Sequence, residues 1–327
     1  MMKRVTNMIG ESTTTSDNHT IELLPVTNLT DGQNLQLRLH RLVGRGDGPR
    51  LLLLGGVHGD EPMGVEIVRR AFLSMVDQEF TGELLAIPVC NPLAFQALNR
   101  NTPLDGGNLN RLMPGNSSGI LTDQIAATLS EFLGTAGVTH MIDFHSGGNL
   151  ATVDYAYMDA DAPDIAIAFG TPLLYDHNPY EGTTTDIAKG LGIQVMVSEM
   201  GGGSQRIDYY LDRGVRGVQN VMRKIGMVHG DPAEPEARQQ VVHEVTNVGP
   251  KHGGILVSEV GADRLGETLA MGALLGTVHS PYTFKVLEEL RAPHNPSVLI
   301  LTRETMTVVS PGDYGYMLGN GSTMLPL

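Results

Sequence analysis

Four consecutive leucines, Leu51–Leu54, run through Gly55, Gly56 and Val57 into His58, and the chain then changes period. The apolar run is short and has no polar alternation, which fits a strand covered on both faces. From Glu61 to Val76 the apolar residues Val65, Val68, Phe72 and Met75 recur at helical spacing. A doubly covered strand feeding a helix is the unit of an α/β sheet.

The unit recurs along the chain. Leu84–Cys90, Met141–His145 and Gln194–Met200 read as further buried strands, and Val153–Met158 as a strand of mixed polarity. Between them lie helical stripes at Leu121–Leu133, Thr184–Leu191 and Arg206–Ile225. This predicts an α/β fold, a mixed β-sheet flanked by helices. Past residue 228 the pattern changes. Residues 229–240 are rich in Pro, Glu and Ala, and short strand-like pieces follow at Val241–Val248, Gly254–Val260, Ala273–Val278, Val298–Leu301 and Thr305–Val309. Three parts are expected: a polar tail over 1–18, a catalytic domain over 19–228, and a linker with a small all-β domain over 229–327.

Composition narrows the partners. The 327 residues carry a net charge of −14, which repels phosphate backbones and anionic lipid, so neither nucleic acid nor membrane is expected. No apolar stretch approaches the roughly 18 residues of a membrane span, and the first sixteen residues lack a signal-peptide core. Cys90, the only cysteine, ends an apolar run and reads as a buried strand residue. A cytoplasmic protein acting on a small molecule is expected, with homo-oligomerisation left open.

The densest chemical signal follows the leucines. In α/β sheets, ligands bind beyond the carboxyl ends of strands, where His58 and Glu61 stand three residues apart. They offer a nitrogen and an oxygen to a metal. A third ligand is expected from another strand end, and His145 closes the apolar run Met141–Phe144. Three protein ligands leave a position open for water, as in catalytic zinc sites; structural sites are closed, usually by cysteine. Glu199 ends a further strand before three glycines, Gly201–Gly203, and is placed to act as the base; the glycines would let backbone approach a ligand closely. Asp143 shares a strand face with His145 and can accept the second ring N–H of a ligand histidine, an interaction expected of His58. Arg111 suits a two-pronged carboxylate clamp, and Arg100 suits the carbonyl and its developing oxyanion. Asp60 reads as the N-cap of the following helix. His279 and His294 receive no role.

The motifs GGVHGDEP, Asn91-Pro92, NLNRLMPG, DFHSGG and SEMGGG, in this order over roughly residues 50–226, resemble the aspartoacylase/succinylglutamate desuccinylase family, relatives of the zinc carboxypeptidases. The resemblance implies a mixed α/β sheet, one zinc ion per chain on His58, Glu61 and His145, and Glu199 as base. It also implies that Asn110 and Arg111 bind a substrate carboxylate, with Arg100 at the carbonyl. Its reaction is hydrolysis of the amide bond of a small N-acyl amino acid. The family's C-terminal tyrosine has three candidates here: Tyr282, Tyr314 and Tyr316. The C-terminal segment is similar to the β-domain of a bacterial subgroup that includes N-acetyl-diaminobutyrate deacetylases. It looks like a lipoyl-type hammerhead whose hairpin, His294-Asn295-Pro296, lacks the modified lysine, so it reads as a wall over the site.

Two other functions share these residues. A zinc carboxypeptidase or cell-wall peptide amidase uses the same machinery on a longer substrate. A non-catalytic metal-binding protein uses the ligands without the base, and the presence of Glu199 weighs against it.

Overall fold

Leu51–Leu54 lies inside the largest sheet, and its two faces explain its composition. Leu51 and Leu53 enter one core with Ile67, Phe169 and Val218, while Leu52 and Leu54 enter another with Ile125, Leu129 and Ala188. Both faces are covered, so the run has no reason to alternate. The computed structural model describes residues 12–16 (as backbone), 18–176, 180–203, 206–303 and 305–327.

In chain order the strands are β1 (Ser12–Ser16), β2 (His19–Asn28), β3 (Asn34–Val43), β4 (Arg50–Leu54), β5 (Glu83–Ile87) and β6 (His140–His145). Then come β7 (Ala151–Thr152), β8 (Tyr155–Met158), β9 (Leu173–Tyr175), β10 (Gln194–Glu199) and β11 (Gln240–Val242). The C-terminal strands are β12 (Val245–Val248), β13 (Gly254–Ser258), β14 (Thr268–Leu269), β15 (Leu274–His279) and β16 (Val286–Arg291). They end with β17 (Ser297–Thr302), β18 (Met306–Val309), β19 (Tyr316–Asn320) and β20 (Leu325–Pro326). Helices α1 (Pro62–Leu73), α2 (Pro92–Gln96), α3 (Leu121–Thr135), α4 (Asp164–Phe169), α5 (Thr184–Gly190) and α6 (Ile207–Lys224) separate the earlier strands.

Among the described residues the main sheet has eleven strands in the order β1-β2-β3-β5-β4-β6-β10-β8-β9-β11-β20. Its centre, β5-β4-β6-β10, is parallel, and antiparallel strands flank it. The core of α1, α4 and α6 lies on one face and that of α3 and α5 on the other. This is the mixed, helix-flanked sheet that the periodicity predicts.

From residue 245 on, all strands but β20 form two smaller antiparallel sheets, β12-β19-β17-β14 and β16-β15-β13-β18. They enclose a core that includes Leu256, Leu275, Leu299, Tyr316 and Leu318. Strand β7, six residues past His145, pairs with β17 and ties this region to the main body.

Three details depart from the sequence-based expectation. Within the expected polar tail, Ser12–Ser16 is a strand paired with β2, because an open sheet edge offers backbone partners even to a polar segment; residues 1–11 lie outside the described residues. The expected strand Val241–Val248 is two strands, β11 on the main sheet and β12 on a smaller one. Asp60 does not cap α1: Glu61 occupies the cap position, no side chain caps the helix, and Pro62 starts it.

Candidate active site

The carboxyl ends of β4, β6 and β10 lie side by side, because β6 pairs in parallel with both others. Register places Glu199 directly beside His145. In the loop past β4, His58 and Glu61 fold back over the same ends. His58, Glu61 and His145 are each buried and offer ligand atoms all within 4.8 Å of one another.

The hydrogen bonds around the two histidines determine which ring nitrogen faces inward. Asn108 Oδ1 accepts the Asn110 backbone N–H (3.0 Å), so the atom there is the amide oxygen. The same oxygen lies 3.1 Å from His58 Nε2, which must therefore carry a proton and donate it. That leaves His58 Nδ1 facing Glu61 Oε1 at 2.9 Å. His145 repeats the pattern. Its Nε2 donates to the Asp143 carboxylate at 3.1 Å, and its Nδ1 faces Glu61 Oε2 at 2.9 Å and His58 Nδ1 at 3.2 Å. Asp143 thus orients His145 and not His58; sequence spacing put it on the correct face and assigned it the wrong histidine. Asn108 takes the place at His58.

Two imidazole nitrogens and two carboxylate oxygens converging in a buried space need a positive charge between them. Burial alone would pull His145 down, but the Asp143 and Glu61 carboxylates hold it well above the usual imidazole range. Burial would likewise raise Glu61, yet His58 and His145 hold it well below the usual carboxylate range. A three-ligand nitrogen–oxygen set without cysteine suits a catalytic metal such as zinc.

Glu199 is a different kind of carboxylate. Burial pushes it up to about 8, with Glu61 and Asp143 adding to the effect against His145 and Arg100. It lines a cavity of about 90 Å³ together with the three clustered residues, Arg100, Asn110 and Arg111. That volume is several times the ~10–15 Å³ that one water needs. Arg100 donates to Glu61 Oε1 at 3.0 Å. Asn110 Oδ1 accepts the Thr184 N–H at 3.1 Å, which leaves the amide NH₂ to donate to a ligand. Arg111 stacks over Tyr180 at 4.0 Å, and Tyr180 shares a 2.8 Å hydroxyl–hydroxyl hydrogen bond with Tyr314. All eight residues singled out from the sequence meet at one place, seven on the cavity wall and Asp143 directly behind His145.

Of the three candidate tyrosines, Tyr314 is the one on the cavity wall. It lines the cavity, whereas Tyr282 is 90% exposed on a turn and Tyr316 is fully buried, bonded to Ser258 and the Leu275 carbonyl. Leu301 and Met317, also from the C-terminal segment, complete that wall with Tyr155 and Tyr157 of β8.

Thr184 also escapes sequence reasoning. Its hydroxyl donates to the same Asp143 oxygen that His145 uses, while its N–H holds Asn110. No motif marks it, since both contacts come from distant segments. The glycines after Glu199 also join two loops. Gly201 O accepts from Gly147 N and Gly203 N donates to Gly148 O, so they zip this loop to the one after His145. Gly202 (φ +114°) has no room for a side chain, as a Cβ there would lie 2.1 Å from the Leu150 carbonyl.

Comparison with known proteins agrees with this geometry. The N-alpha-acetyl-L-2,4-diaminobutyric acid deacetylase of Halomonas elongata is 28% identical over 270 residues, 78% of each chain. A succinylglutamate desuccinylase structure from Silicibacter is 26% identical with a TM-score of 0.80, covering 95% of this chain and 98% of that one. The product-bound ectoine utilization protein EutE (DoeB) from Ruegeria pomeroyi shares the fold, with 24% identity, a TM-score of 0.82 and coverage of 96% and 99%. Residues 47–225 match the model of the succinylglutamate desuccinylase/aspartoacylase catalytic domain. The chain belongs to that family and is an amide hydrolase acting on N-acylated amino acids.

Proposed function

We propose that the protein is a zinc-dependent deacylase that splits a small N-acylated amino acid into a carboxylic acid and the free amino acid. The observation that carries this reading is the pair of inward-facing Nδ1 atoms, set by Asn108 and Asp143, converging with Glu61 beside the Glu199 carboxyl.

His58, Glu61 and His145 would hold one zinc ion per chain, which when bound supplies a Lewis acid that acidifies water and polarises the amide carbonyl. Glu199 accepts the proton of the attacking water and passes it to the departing nitrogen. Its raised affinity for a proton suits both halves of that transfer. Arg100, beside Glu61, reaches the oxygen on which negative charge develops. Arg111 and the Asn110 amide bind the substrate carboxylate. We assign residues 19–228 to catalysis and 229–327 to the wall that carries Tyr314, Leu301 and Met317. Among the described residues no helix is long and apolar enough to cross a membrane. The one cysteine, buried and free, suits a reducing compartment, and we place the protein in the cytoplasm.

The test is hydrolysis of a panel of N-acetyl, N-succinyl and N-aspartyl amino acids beside short peptides, with and without a chelator. Chelator-sensitive turnover of an N-acyl amino acid is expected. Peptide cleavage with silence on every N-acyl compound would move the protein to the peptidase reading.

A further inference from the structure

The outer nitrogens of the two histidines are joined by one chain of hydrogen bonds that runs behind the cluster. It starts where His58 Nε2 donates to Asn108 Oδ1 (3.1 Å). Asn108 caps the short turn Leu109–Arg111, and the same oxygen accepts the Asn110 N–H (3.0 Å). Leu109, fully buried between the two asparagines, pins that turn to the core shared with α3. The Asn110 side chain carries the chain onward, since its Oδ1 accepts the Thr184 N–H (3.1 Å). The Thr184 hydroxyl then donates to Asp143 Oδ2, which also accepts from His145 Nε2 (3.1 Å).

Two features make the Asn110–Thr184 link the step on which the rest depends. Thr184 is the first residue of α5, so helix geometry leaves its N–H without a partner inside the helix. The Thr183 hydroxyl serves the Asp186 N–H instead, and the buried Thr184 N–H has Asn110. Asp143, in turn, is fully buried and takes both of its bonds on Oδ2; among the described residues its Oδ1 accepts none. Among those residues Thr184 is therefore the one donor besides His145 that sets how this carboxylate is turned.

On the reading that His58, Glu61 and His145 hold zinc, we propose that Asn110 is a positioning residue for the metal ligands as well as a binder of substrate. Its side-chain atoms divide the two roles. Oδ1 holds Thr184, and through it Asp143 and His145, while Nδ2 is left for a carboxylate in the cavity that Asn110 lines. Removing the acceptor leaves a buried N–H unpaired at the start of α5, and it regains a partner only if Thr184 shifts toward water. That shift takes the hydroxyl off Asp143. The Asn110 backbone N–H, on Asn108 Oδ1, ties the same turn to His58, so one residue links the supports of both histidines. Direct partners of ligand histidines change metal affinity about 10- to 100-fold; Asn110 stands one bond further out, and roughly three- to tenfold is expected.

The test separates the two atoms. Asn110→Ala loses both, whereas Asn110→Asp keeps an acceptor for Thr184 and sets a negative charge against the substrate carboxylate. Zinc affinity is read by competition with a chelating dye, KM at saturating zinc, and folding by melting of the zinc-free proteins. Asn110→Ala should bind zinc roughly three- to tenfold more weakly. Asn110→Asp should stay within about twofold of the wild type for zinc and raise KM by ~100-fold. The double variant Asn110→Ala/Thr184→Val should bind zinc no more weakly than Thr184→Val alone, because both changes cut the same chain. Wild-type zinc affinity in a folded Asn110→Ala overturns the proposal. So does an Asn110→Asp that loses as much zinc affinity as Asn110→Ala, or a double variant whose losses add. A wild type that binds no zinc at all overturns the zinc reading itself, and this proposal with it.

Discussion

One side of the cavity is made of strand ends and the other of tyrosines, and the two differ in what holds each residue in place. His145 and Glu199 stand side by side at the ends of adjacent parallel strands, and the loop after β4 folds His58 and Glu61 over the same ends. Tyr155, Tyr157, Tyr180 and Tyr314 come from an antiparallel strand, a loop and the C-terminal segment, and they meet through hydroxyl and ring contacts. The first group fixes charges and protons, and the second gives the cavity its size. Substitutions on the strand-end side are therefore expected to change the chemistry, and those on the tyrosine side to change the fit.

The largest effect is expected from His145→Ala. It removes a ligand and leaves Asp143 buried without its imidazole, so metal content after dialysis and turnover should both fall to background. Glu199→Gln comes next. Its metal content should match the wild type while kcat falls by about 10²–10⁴-fold, the worth of a general base. Between the two sides stands Arg111. Arg111→Ala should raise KM by roughly 10- to 100-fold, the value of a charged hydrogen bond to carboxylate, with kcat nearly unchanged, and Arg111→Lys should restore little of it.

Smaller effects sharpen the contrast. Thr184→Val keeps the volume and the N–H that holds Asn110, and removes only the hydroxyl on Asp143. Zinc affinity, read by competition with a chelating dye, should fall about tenfold, as for other partners of ligand histidines, and Thr184→Ser should recover it. Tyr314→Phe, on the opposite wall, should leave zinc affinity unchanged and alter kcat/KM by no more than about fivefold, the loss of one neutral hydrogen bond.

The strand-end side was legible in the sequence because His58, His145 and Glu199 each close an apolar run, with Glu61 three residues on, and a run that needs cover on both faces predicts a parallel strand. His145 and Glu199 could be read as neighbours before their register was known. Asp143 shows where that reading stops: alternation gives a face, but which histidine lies above it depends on the turn from Gly55 to Glu61. Asn108 sits two residues before Asn110 in a motif already singled out, yet its partner lies fifty residues away. Thr184, and the choice of Tyr314 over Tyr282 and Tyr316, were illegible for the same reason, since each depends on contacts between segments that no local period relates. The hairpin β2–β3 also escaped notice. Its inward residues, Leu35, Leu37 and Leu39, do alternate, but they lie outside the strand–helix repeat that guided the reading.

The central claim is that His58, Glu61 and His145 form a single zinc site that deacylation requires. It is tested most directly by adding zinc back to metal-stripped protein while following bound metal and turnover of one N-acetyl amino acid. Both are expected to rise together and saturate at one zinc per chain, with Glu199→Gln binding the same single zinc without turnover. Full turnover by the stripped protein, or zinc binding that survives the loss of His145, would contradict it.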